Sequence, residues 1–154
     1  MPQTYCLKAD IEALWTAAAV LASVDDDTSG TLSATEEGYI TRAIQRAAER
    51  MNAYLEERYV LSDLATNTWC RDANAAIAAY LLSIRRGSSA PVPFQLQYDG
   101  LMSDLFDIAA GRLKVPQANE SVENIPTVSN FAVDLTGGSD KVFRVDETST
   151  GSPP

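Results

Sequence analysis

Apolar positions recur at three- and four-residue intervals through most of the first 113 residues, which predicts amphipathic helices rather than strands. The first helix is expected to begin near Lys8 and to carry Ile11, Leu14 and Trp15. A second short apolar segment, Ala17 to Val24, leads into the turn Asp25-Asp26-Asp27-Thr28-Ser29-Gly30. Ser33 or Thr35 then caps a long helix, and Ser33 with Glu36 has the spacing of a capping box. On that helix Ile40, Ala43, Ile44, Ala47, Met51, Tyr54, Leu55 and Arg58 share one stripe. Arg42, Gln45, Arg46, Glu49, Arg50, Asn52, Glu56 and Glu57 fill the outer face.

After the connector Tyr59 to Leu64, Thr66 or Asn67 starts a further helix carrying Trp69, Ala73, Ala76, Ile77, Tyr80, Leu81 and Ile84. Its many alanines allow close approach of neighbours, so it is expected at the centre of the bundle. Gly87 to Pro93 breaks the chain, and Pro93 can open the next helix. There Tyr98, Leu101, Met102, Leu105, Ile108 and Ala109 form the buried stripe, and Gly111 supplies the left-handed stop. The expected core is Trp69, Ala73, Ile77, Tyr80, Leu81, Ile44, Met51, Leu55, Leu101, Leu105 and Ile108. The fold class is therefore all-α, a small four- to five-helix bundle over residues 1–113.

From Lys114 to Pro154 the helical period disappears. This stretch contains Pro116, Pro126, Pro153 and Pro154 and two short alternations, Asn130 to Leu135 and Lys141 to Val145. Thr136-Gly137-Gly138-Ser139-Asp140 can turn one alternation back on the other as a short β-hairpin. Residues 114–154 are thus read as an extended C-terminal assembly arm. Phe131, Val133, Val142, Phe143 and Val145 are its contact residues, ordered against a partner. The other reading of the arm is a disordered tail.

Composition narrows the chemistry. The 154 residues include no histidine, which removes the commonest general base and transition-metal ligand. Catalysis is not expected, and Asp99, Asp104 and Asp107 read as solvent-facing rather than as paired catalytic acids. Cys6 and Cys70 fit no metal-ligand spacing and are expected to be reduced. No apolar run is long enough to span a membrane, and the N-terminus lacks the pattern of a secretion signal. The net charge of −9 argues against sequence-specific DNA binding. The basic pair Arg85-Arg86 beside Gly87 reads as a favourable cationic helix end.

One motif carries a sharper possibility. Asp25 to Glu36 fits a twelve-residue calcium loop, with oxygen ligands from Asp25, Asp27, Ser29, the Thr31 carbonyl, Ser33 through water, and Glu36. Gly30 stands at the sharp turn and Leu32 at the apolar eighth position. Against it, Glu37 stands where the leaving helix usually has an apolar residue, and no second loop exists to pair with it. The preferred reading is an Asp-rich turn closed by a capping box, with no cofactor. An EF-hand-like calcium-binding protein is the alternative.

The order of these signals resembles a known family, the head-tail connector (adaptor) proteins of long-tailed bacteriophages, especially their Mu-like branch. The matching residues are Tyr5-Cys6 with Asp10-Ile11, Asp26 through Leu32, Ile40 with Ala43-Ile44, and Asn52-Ala53-Tyr54-Leu55 with Arg58-Tyr59. They continue with Ala78 to Leu82, Gln97-Tyr98 through Leu113, and Gly137 to Phe143. The resemblance implies a virion protein of the phage neck, made in the host cytoplasm. It implies a ring, typically twelve-fold, between the portal protein and a stopper or tail-completion protein. DNA would pass through the lumen without sequence-specific binding, and no membrane is involved. Ring subunits meet head to tail through two different patches.

Overall fold

A computed structural model describes residues 3–87 and 89–121. Five α-helices follow in order: α1 (Lys8–Trp15), α2 (Ala17–Val24), α3 (Ala34–Leu55), α4 (Thr68–Ser83) and α5 (Val92–Ala109). A short 3-10 helix, Leu61–Leu64, joins α3 to α4. The body is all-α, and among the described residues there is no strand. No described helix is long and apolar enough to cross a membrane.

Local chemistry accounts for the helix ends. Asp10 accepts the Leu7 N–H at 2.7 Å and so opens α1. Thr16, at φ +72°, closes α1 through its N–H and opens α2 by accepting the Ala19 N–H on its hydroxyl. Ser33 caps α3 and Glu36 returns the bond, the reciprocal arrangement its spacing predicts. Asn67, one of the two residues proposed, caps α4 by accepting the Cys70 N–H at 3.1 Å. Gly111 has φ +75° and ends α5 in a left-handed turn, with Arg112 N–H bonded back to the Asp107 carbonyl at 2.8 Å.

The central helix is α4, which touches each of the other four. Ala73 to Ala79 are all buried, so this helix has no solvent face over two turns. The core closes around Ile11, Val20, Val24, Ile40, Met51, Leu55, Ile77, Leu82, Leu105 and Ile108. Several expected core residues lie at its margin instead. Trp69, Tyr80, Leu81, Ile44 and Leu101 are only half-buried, and Leu82 rather than Leu81 fills the centre. Tyr80 stacks on Tyr98 with ring centroids 4.1 Å apart, which explains why both stay at the edge.

Two extended segments fasten to this frame. Asn74, fully buried, accepts the N–H groups of Tyr5 and Cys6 and donates to the Ile44 carbonyl. Asn52, expected on the outer face, is buried instead; it takes the Tyr5 hydroxyl and donates to the Gln3 carbonyl. Of the stretch 114–154, the described residues 114–121 pack on the helices. Val115 is buried, with its N–H on the Tyr59 hydroxyl, and Glu120 pairs with Arg58 at 2.6 Å. Cys6 and Cys70 are free and buried, and burial pushes both thiols up to about 12, with Asp10 adding to the effect at Cys6.

Candidate functional site

The loop between α2 and α3 assembles the residues singled out for calcium. The carboxylate oxygens of Asp25, Asp27 and Glu36 lie within 4.8 Å of one another. Asp25 accepts the N–H groups of Ser29 and Gly30 at 3.1 and 2.9 Å, and Asp27 accepts that of Ser29 at 3.0 Å. The Ser29 hydroxyl donates to the Thr31 carbonyl at 3.0 Å. Gly30 has φ +72° at the sharp turn, a backbone shape that glycine adopts without strain.

Glu36 is buried, although it opens a helix at the surface. One carboxylate oxygen accepts the Asp26 N–H at 3.0 Å; the other takes both the N–H and the hydroxyl of Ser33 at 2.7 Å. These bonds, the Ser33 N–H foremost, hold its carboxyl below the usual range. Asp27 is lowered as well, chiefly by hydrogen bonds from Ser29. The loop therefore supplies its own N–H partners to the same oxygens that a calcium ion would take. Binding an ion in the two-pronged manner would require Glu36 to release some of them.

Arg85 and Arg86, expected to serve the end of their own helix, reach across to this loop. Both pair with Asp26, and Arg85 also donates to the Ser23 carbonyl at 3.3 Å. Arg86 donates to the Asp25 carbonyl. Two cations thus meet the carbonyl end of α2, where the helix dipole is negative. The hydrogen bond from Arg85 is the first reason that the Asp26 carboxyl is lowered. Arg85 also lies 4.4 Å over the Tyr39 ring.

The remaining candidate surfaces lie on α5 and α3. Val92, Leu96 and Phe106 are 70, 67 and 58% exposed on the outer side of α5. This helix carries three aspartates and no lysine or arginine. On α3, Arg42, Arg46 and Arg50 recur every fourth residue and border grooves whose other wall holds Leu81, Ile84 and Arg85. The arm residues Phe131, Val133, Val142, Phe143 and Val145 lie outside the described residues.

Among known families, a model described as "Bacteriophage Mu, Gp36" matches residues 5–133. No curated protein and no solved structure matches the chain.

Proposed function

This chain belongs to the bacteriophage Mu Gp36 family, and from that premise we propose that it is a head-tail connector of a long-tailed phage. In this reading it is a structural virion protein of the neck. It forms a ring, dodecameric by the resemblance, between the portal protein and a stopper or tail-completion protein. DNA passes through the lumen without sequence readout.

The observation that carries the reading is the family match over residues 5–133, which spans the whole helical body. Two physical features support it. The body has a core of its own, as a subunit made before assembly requires. Its net charge of −9 suits a channel that must not trap phosphate. The segment beyond Ser121, with Phe131, Val133, Val142, Phe143 and Val145, serves as the assembly arm, ordered against the portal, a neighbouring subunit or the next protein of the neck.

The test is mass and shape. The full-length chain, alone and mixed with the portal protein of the same phage, should give closed rings by light scattering and electron microscopy. A phage lacking it should accumulate unjoined heads and tails. Truncation after Ser121 should leave the helices folded and abolish attachment to the neck. Normal joining of heads and tails without the protein would refute the reading.

A second reading, a calcium ion in the loop 25–36, is favoured by the convergence of Asp25, Asp27 and Glu36. At calcium 100 times the dissociation constant, binding would add about 2.7 kcal/mol of stability. Melting unchanged by calcium rejects it; a shift abolished in Asp25→Ala with Glu36→Ala supports it.

A further inference from the structure

The outer face of α5 and the groove beside α3 are complementary in charge and in apolar content. α5 exposes Val92, Leu96 and Phe106 with Asp99 among them, and it has no cation along its length. Asp107 is already paired with Arg112, whereas Asp99 meets only the Gln95 amide, and Asp104 has no cationic partner among the described residues. The groove beside α3 has the opposite character. Arg42 and Arg46 stand one turn apart with no carboxylate partner among the described residues, in a chain with 21 acidic and 12 basic residues. Like charges four residues apart repel along a helix, so an acidic partner lying across them relieves the strain on α3. Between them the half-buried Leu81 and Ile84 offer apolar contact.

We propose that the outer face of α5 in one copy seats in the arginine-lined groove between α3 and α4 of the next copy. This rests on the ring reading above and identifies its subunit contact. Two α5 faces brought together would oppose aspartates, and two grooves would oppose arginines, so both pairings of like faces are disfavoured. Only the unlike pair is attractive, and a repeated unlike contact closes into a ring when its rotation permits. The apolar wall of Leu81 and Ile84 and the acidic charge of the whole chain favour this occupant over nucleic acid.

The experiment is a charge exchange in the full-length chain. Arg42→Glu with Arg46→Glu, and separately Asp99→Arg with Asp104→Arg, should each weaken ring formation at least roughly tenfold. Combining all four substitutions should recover most of that loss, because the unlike charges face each other again with their places reversed. Wild-type rings should weaken as sodium chloride is raised. Circular dichroism and melting confirm that each variant folds; if the Glu pair does not, Arg42→Gln with Arg46→Gln should still reduce the salt dependence. Wild-type chain that forms no ring, alone or on the portal, removes the ring reading and this contact with it. Rings that survive either double variant leave that reading standing and overturn this inference, as does a fourfold variant that stays monomeric. Double arginine variants that assemble normally but lose duplex DNA retention at low salt would assign the groove to phosphate instead.

Discussion

Replacing Asn74 with alanine tests how much of the N-terminal segment's attachment to the body rests on one of its two buried amides. The Asn74 side chain accepts from Tyr5 N–H at 3.2 Å and Cys6 N–H at 3.1 Å, and donates to the Ile44 carbonyl at 3.2 Å. Each N–H left buried without an acceptor costs about 1–3 kcal/mol. If the segment stays in place, the loss is about 2–6 kcal/mol for the two groups. The segment has another outcome open to it: it can peel away and hydrate both groups. The loss is then capped by what docking contributed, largely the burial of Tyr5 and Cys6. Urea denaturation measures the total, and thiol labelling distinguishes the two outcomes. With its pKa near 12, the Cys6 thiol is protected at pH 8 by scarcity of thiolate as well as by burial. Peeling returns it to ordinary values and should raise the labelling rate roughly a thousandfold. Asn74→Ala with unchanged stability and unchanged Cys6 protection would refute the fastening role.

Four further outcomes follow from the same contacts. Leu82→Ala should cost about 2–5 kcal/mol in denaturant unfolding, as a core leucine does, while the half-buried Leu81 should cost less than about 2. Gly111→Ala should cost at least about 1–2 kcal/mol from its positive φ alone. Its new Cβ would also run into the Arg58 guanidinium and disturb the bond to Glu120, which a melting curve with Arg58→Ala as reference would separate. Asp26, Asp27, Glu36 and Glu120 all have lowered carboxyl pKa values, so the stability they add is complete above the ordinary carboxylate range and is lost as pH falls through the lowered values. Melting temperature should therefore decline on acidification below about pH 4.5, and Glu120→Gln should flatten that decline.

Much of the helical frame is legible in the sequence because helix period and cap chemistry are local. Ser33 with Glu36, Asn67 and Gly111 mark ends that depend on neighbours within five residues. The core assignments fail where one stripe is an inadequate description. α4 is buried on every side over 73–79, so its period cannot choose between Leu81 and Leu82. Asn52 and Asn74 were hidden for a related reason: polarity in a helical pattern reads as exposure unless a distant backbone supplies partners. Arg85 and Arg86 are likewise explained by a loop some 60 residues away, which no local rule contains. The acidic loop was the most readable candidate site, since its spacing alone brings Asp25, Asp27 and Glu36 together. The complementary faces on α5 and α3 were readable only in part. Their charges are plain in sequence, but their exposure depends on which sides the packing leaves open.

The fastening of residues 3–7 has a kinetic consequence. The bonds from Asn74 and Asn52 to this segment join residues 47 to 69 positions apart, whereas α3, the 3-10 turn and α4 follow one another directly. Loop closure makes distant contacts slow to form, so the α3–α4 hairpin should be organised in the folding transition state and the segment should dock after it. Substitutions at Asn52, whose side chain bonds only this segment, should then leave the refolding rate almost unchanged and appear mainly as faster unfolding. The strap would act as a late latch, setting how long a folded subunit survives more than how quickly it is made.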